Sequence, residues 1–293
     1  MSNPKLINGV EIAQKVKDDL RPRIKCLKQK GITPGLAVIL VGDNPASQSY
    51  VNMKAKAFES MQLFSETIRL PGESSQEKIL DLVNQLNHDS RFHGILVQLP
   101  VPKHLDSNAI IQAITADKDA DGIHPTNLGK MVLGIEAPLP CTPHGILMLL
   151  KYSDIDPAGK HVVITGRSNI VGKPIANLLM QKRPLGNATV TVCHTHTRNL
   201  PEITRLADIL IAALGQPEFI DRSFVKPGVV VIDVGSNRIE DASSPKGYRW
   251  VGDVKFSEVA EIASAITPVP GGVGPMTIAM LIANTVLLAE KTS

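Results

Sequence analysis

A chain of 293 residues with 43% hydrophobic and 20% charged residues has the composition of a globular protein long enough for two domains. The net charge of +3 comes with no long run of one sign and only 3% of residues are aromatic, which argues against nucleic acid or a membrane surface as a partner. Cys26, Cys141 and Cys193 are odd in number and far apart, so neither a disulfide framework nor a metal site follows, and reduced cytosolic thiols are expected.

The start, Met1-Ser2-Asn3-Pro4-Lys5, lacks the apolar core of a signal peptide, and no apolar run approaches the roughly 20 residues that cross a bilayer, so the expected location is cytoplasmic. Ile12, Val16, Leu20, Ile24 and Leu27 recur at helical spacing up to Gly31, with Pro22 expected to kink or split the helix. Leu36–Val41 reads as a buried strand, Gly42-Asp43-Asn44-Pro45 as a turn, and 50–60 as a helix. Tyr50 and Lys54 are four apart and share a face of that helix. They follow the end of a strand, where open α/β sheets bind ligands. A solvated helix face is the plainer alternative.

Phe64–Leu70 alternates like a half-buried strand, Ser74 and Glu77 form a capping box, and Ile79, Leu82, Val83 and Leu86 give the core face of a helix. Gly94–Leu99 is a buried strand closed by Pro100-Val101-Pro102, and a helix around Asn108–Ala116 follows. Gln98 ends an otherwise apolar strand, so its amide needs partners or faces a cleft. Asp121 lies in the next turn, Asp119-Ala120-Asp121-Gly122, where Asp-Gly is also ordinary turn chemistry.

Pro138–Pro143 is the linker candidate, with a helix over His144–Tyr152 after it. The strand Lys160–Thr165 then enters Gly166-Arg167-Ser168-Asn169-Ile170-Val171-Gly172-Lys173-Pro174. A glycine-rich turn from strand into helix is the setting of a dinucleotide pyrophosphate, although Ser168 replaces the usual second glycine. The next strand, Ala188–Cys193, leads into His194-Thr195-His196-Thr197, and no carboxylate occurs from Ala188 to Asn199 to bind a ribose 2′-hydroxyl. Arg167 and the Thr195 hydroxyl would instead hold a 2′-phosphate, which points to NADP. Asp208–Ala213 and Gly228–Asp233 are further buried strands, and Asn237–Arg249 reads as a polar surface excursion. Thr267–Thr277, dense in Gly and Pro, is expected to be a rigid loop with exposed backbone ahead of an apolar helix to about Glu290.

Five stretches together resemble the bifunctional methylenetetrahydrofolate dehydrogenase and methenyltetrahydrofolate cyclohydrolase family: Ser49–Ala57, His93–Pro100, Lys118–Gly122, Gly166–Gly172 and Pro268–Thr277. The resemblance runs from about Leu6 to the last helix. It implies an α/β protein of two domains. One is an N-terminal folate-binding domain with a parallel sheet (1–140 plus 275–293), to which the C-terminal helix returns; the other is a Rossmann-type NADP domain (141–274). Lys54 matches the catalytic lysine, here the general acid/base of hydrolysis. Tyr50 matches the residue that stacks on folate, Gln98 the partner of the lysine, and Asp121 the carboxylate that holds the pterin. Val97, Gln98 and Leu99 line the folate site with the loop Pro270, Gly271, Gly272, Val273, Gly274, Pro275, Met276 and Thr277. Gly166, Arg167, Ser168, Thr195 and Ser236 match the cofactor positions, although Ser236 stands where Ile is common and Thr195 where Ser is. Tetrahydrofolate derivatives as substrates, NADP as cofactor, no metal and a homodimer are implied. The rivals are a shikimate dehydrogenase-like enzyme and a non-catalytic nucleotide-binding regulator.

Overall fold

The computed structural model describes residues 4–244 and 247–292; the reading of Met1-Ser2-Asn3, and Pro245-Lys246 of the expected surface excursion, lie outside the described residues. In chain order the elements are β1 (Lys5–Leu6), α1 (Gly9–Gln29), β2 (Gly35–Val41), α2 (Pro45–Ser60), β3 (Phe64–Leu70), α3 (Gln76–His88) and β4 (Gly94–Val97). Next come α4 (Ser107–Ala113), α5 (Pro125–Val132), α6 (Cys141–Tyr152), β5 (His161–Thr165), α7 (Gly172–Met180), β6 (Thr189–Cys193), α8 (Leu200–Thr204) and β7 (Ile209–Ala212). The chain closes with β8 (Val230–Asp233), β9 (Asn237–Glu240), β10 (Tyr248–Val251), α9 (Phe256–Val259), β11 (Ala265–Ile266) and α10 (Val273–Glu290). Two compact units result, one of Lys15–Cys141 with Ile278–Ser293, the other of Met1–Gln14 with Thr142–Thr277.

The first unit holds a parallel sheet in the order β3-β2-β4. All seven residues of β2, Gly-Leu-Ala-Val-Ile-Leu-Val, are buried, as a middle strand covered on both faces requires. Sequence reading started the next helix at 50, but α2 begins at Pro45: the Asn44 side chain accepts from the amides of Ala46 (3.0 Å) and Ser47 (3.1 Å), and Pro45 suits the first turn. The expected turn is therefore a cap, and Tyr50 and Lys54 sit in mid-helix. The cap of α3 is likewise Ser75, accepting from Lys78 N at 3.3 Å, rather than the Ser74–Glu77 box. Pro22 does not split α1, which runs as one helix with Leu20 and Ile24 buried on either side of the proline. The α5 helix was not expected; it is capped by His124, whose Nδ1 accepts from Thr126 N.

The second unit is a six-stranded sheet, β1-β11-β8-β7-β5-β6, parallel throughout. Val163, Leu210, Val231 and Ile266 lie in a core cluster on this sheet. The opening residues belong here, not with the first domain, because β1 pairs with β11. Two strands of two residues each are too short for a sequence pattern to reveal. The expected surface excursion is an antiparallel hairpin of β9 and β10. The expected loop 268–277 is helical from Val273, and this makes α10 long and apolar enough to cross a membrane by length and composition. Its apolar window is, however, 61% buried within the protein, and Asn284 and Thr285 are among its buried residues.

Candidate active site

In the first unit the chain makes β2, crosses to β3 at one edge and then to β4 at the other, so the strand order reverses between β2 and β4. Ligand groups belong beyond the carboxyl ends of strands at such a point. Gln98, the first residue past β4, is held there by its backbone N–H, which donates to Ile39 O (2.9 Å). Its side chain is fixed at both ends: Nε2 donates to Leu99 O (2.8 Å) and Oε1 accepts from Lys54 Nζ (2.9 Å). Lys54 is buried on α2, with Tyr50 one turn earlier and half-buried. Val97 ends β4 in the core.

Asp121 sits on a tightly held turn. Asp119, 2% exposed, accepts through Oδ1 from Gly122 N (3.0 Å) and through Oδ2 from His124 N (2.8 Å) and Asn127 Nδ2 (2.9 Å). Ala120 N donates to Ile95 O on β4, and Asn284 of α10 donates to the carbonyls of Ala120 (2.9 Å) and Leu139 (2.8 Å). Cys141 N donates to Asp121 O, and the buried Cys141 thiol donates to Ala120 O (3.5 Å). Asp119, Asn127, Cys141 and Asn284 thus belong to the site although the sequence reading passed over them as site residues. Their signals were faint: a second Asp in Asp-Ala-Asp-Gly, a Cys between prolines and one amide in an apolar helix.

The electrostatics follow from burial. Desolvation pulls the Lys54 ammonium below its ordinary value, against the opposing charge of Asp121. Desolvation also raises Asp121, opposed by Lys54 and reinforced by Asp119. The Cys141 thiol is pushed well up by burial and by Asp121, so it stays protonated. The cluster therefore favours the uncharged amine more than water does. A buried amine beside an amide oxygen and a carboxyl can accept and return a proton.

In the second unit the strand order reverses between β5 and β7. Gly166, just past β5, has φ +129°, and a Cβ on it would stand 2.1 Å from Ala213 O beyond β7. The loop is closed by Ser168, whose Oγ accepts from Val171 N (3.1 Å) and Gly172 N (3.4 Å) at the start of α7. Ser168 thus ties the loop to the start of α7 where the common motif has glycine. Thr165 pairs with Cys193 and Gly166 N bonds Cys193 O, so Arg167 and Thr195 lie two residues past the ends of neighbouring strands. Both are exposed, and Arg167 has no ion-pair partner among the described residues. A bare backbone turn at a helix start with a free guanidinium fits a phosphorylated dinucleotide. Ser236 is exposed in the turn after β8. Of the glycine-rich segment, Pro270-Gly271-Gly272 is loop, while Val273, Gly274, Pro275, Met276 and Thr277 form the first turns of α10; Met276 is buried and Thr277 Oγ1 meets Thr142 Oγ1 at 3.2 Å. No three His, Cys, Asp or Glu side chains form a metal cluster among the described residues.

Comparison with known proteins identifies both units. A family model for the tetrahydrofolate dehydrogenase/cyclohydrolase catalytic domain matches residues 7–121, and one for the NAD(P)-binding domain of the same proteins matches 140–293. The chain is 56% identical over 283 residues to the bifunctional protein FolD of Prosthecochloris aestuarii, covering 96% of each chain. The crystal structure of the Campylobacter jejuni bifunctional enzyme superposes with a TM-score of 0.92 at 49% identity, covering 99% of each chain. The Trypanosoma brucei dehydrogenase-cyclohydrolase, solved with NADP cofactor and inhibitor, gives a TM-score of 0.94 at 37% identity over 100% of this chain and 99% of that one.

Proposed function

The chain belongs to the tetrahydrofolate dehydrogenase/cyclohydrolase family and is a bifunctional enzyme of that kind, and from this premise we propose which of its residues carry each reaction. The substrate is 5,10-methylenetetrahydrofolate, oxidised to the methenyl cation and then hydrolysed to 10-formyltetrahydrofolate. NADP is the proposed cofactor, held by the Gly166–Ser168 loop with Arg167 and Thr195 on the 2′-phosphate; when bound it supplies the hydride acceptor. The backbone at Ser236 is assigned to its nicotinamide end. Oxidation is mainly a matter of holding two molecules in register.

Hydrolysis needs proton movements. Water adds to the cationic carbon and loses a proton, a ring nitrogen gains one, and the carbon–nitrogen bond breaks as the remaining hydroxyl gives up its proton, which leaves the formyl group and releases one proton overall. Lys54 is the proposed base and then acid. Tyr50 stacks on the folate, Asp121 holds the pterin, and Val97, Leu99 and Pro270–Thr277 line the folate. The observation that carries this reading is the buried amine of Lys54 fixed on Gln98 Oε1 at 2.9 Å, with the Gln98 amide oriented by Leu99 O. A cation is stabilised poorly there, which favours the free amine needed to accept a proton. Lys54→Met is expected to lower cyclohydrolase turnover by about 10²–10⁴-fold, the usual contribution of an acid–base group, while part of the dehydrogenase activity survives. Both are read on one preparation, from decay of methenylfolate and from its formation with NADP. Retained hydrolysis with lost oxidation would assign Lys54 to the other step.

A further inference from the structure

Two buried carboxylates lie outside the Lys54 cluster: Asp233, the last residue of β8, and Asp253, which follows β10 and bonds the segment just past β7. Asp253 is fully buried, and its oxygens accept from three consecutive backbone amides, Leu214 N (2.5 Å), Gly215 N (2.9 Å) and Gln216 N (3.0 Å), and from Asn237 Nδ2 (2.9 Å). Successive amides turned inward make an anion nest. Here the anion is the chain's own side chain. Asp233 accepts in turn from Gly235 N (2.9 Å), Asp253 N (3.0 Å) and Val254 N (3.0 Å). Neither carboxylate has a cationic partner among the described residues. Burial pushes Asp233 up to about 7 against the pull of these amides, with Asp253 adding to the rise.

The packing leaves no slack. A Cβ on Gly252 would stand 1.8 Å from Asp233 Oδ2, and one on Gly235 would stand 2.3 Å from Asp253 N. The nest begins one residue after Ala213, whose carbonyl is the wall against which Gly166 turns. The two carboxylates therefore join three loop segments, 214–216, 235–237 and 252–254, beside the phosphate turn.

We propose that Asp253 is a positioning residue for the dinucleotide: an internal anion that, linked to Asp233, holds the 214–216 and 235–237 loops in the shape the nicotinamide half requires. This rests on the NADP reading above. Loosening these loops should weaken cofactor binding and spare hydrolysis, which consumes no cofactor and whose proposed acid–base cluster lies in the other unit.

Asp253→Asn keeps the size of the side chain but turns an NH2 group toward amides that need an acceptor. The expected result is a rise in KM for NADP of about ten- to a hundredfold, the scale of one charge-assisted hydrogen bond. Dehydrogenase kcat at saturating NADP and cyclohydrolase kcat/KM should stay within about twofold. Asn237→Ala, which removes a single half-buried donor, should raise the same KM by a smaller factor and guards against a folding defect in the first variant. An unchanged KM for NADP in both variants would overturn the role, and so would loss of both activities in parallel, which marks general destabilisation. If the wild-type protein itself oxidises methylenefolate without preferring NADP, the cofactor reading fails, and that result is separate from any outcome with the variants.

Discussion

At the scale of single residues, the site is built by pairing groups whose burial would otherwise be unfavourable. Lys54 and Gln98 were legible because an amide at the end of an apolar strand and a lysine in a strand–helix setting both ask for a partner; the 2.9 Å bond unites them. Asp119 was not singled out, because a carboxylate in an Asp-Gly turn needs no special cause. Its three accepted bonds show a structural duty. Asp119→Ala would strand those buried donors at about 1–3 kcal/mol each before relaxation, so a lowered denaturant midpoint with a raised KM for folate is expected. Asp121 opposes the downward shift of Lys54. Asp121→Asn should therefore move the acidic, rising limb of the cyclohydrolase kcat profile to lower pH, since removing the anion further disfavours the ammonium and the free amine persists to lower pH. A limb that stays in place or moves upward would separate Lys54 from that titration. On the cofactor side, Arg167→Ala should reduce the preference for NADP over NAD by about 1.5–3 kcal/mol, read as the ratio of kcat/KM for the two cofactors. An unchanged ratio would remove Arg167 from the 2′-phosphate.

At the scale of elements, periodicity revealed what was long and missed what was short or capped by side chains. The β2, β4, β5, β7 and β8 strands were visible as apolar runs, but β1 and β11 exist only through their pairing partners. The helix starts moved because caps act over one or two residues: Asn44 extends α2 backward, and Ser75 displaces Ser74. The 268–277 stretch looked like loop throughout because Gly and Pro dominate it, yet Pro275 tolerates the first turn of α10. The turn from β5 to α7 carries its own test. Gly166→Ala adds a Cβ 2.1 Å from a backbone oxygen at φ +129°. The loop must shift, and loss of NADP binding with cyclohydrolase retained is the expected result, measured by titration and by methenylfolate decay.

At the scale of the whole chain, both sheets use one device. In β2-β3-β4 and again in β5-β6-β7, the first of the three strands lies between the other two, the second goes to one side and the third to the other, and the proposed reacting groups leave from between the first and third. Alternation of strands and helices made this architecture legible, whereas the assignment of the first residues was not, since it depends on one parallel pairing. The homodimer implied by family resemblance is expected to sediment at twice the 31.5 kDa of one chain, and a particle of single mass at micromolar concentration would refute it. The seams between units have a practical meaning. The chain passes from one unit to the other within α1 after Gln14 and within α10 after Thr277, and at the first residue of α6. A fragment trimmed to 142–277 would therefore cut α10 a few residues into its length, leaving backbone carbonyls unbonded, and would lose the strand that borders β11. The two activities cannot be parted by scissors at a loop, so fragments ending at those positions should be insoluble on expression, and a genetic fusion partner belongs at a terminus of the full-length chain.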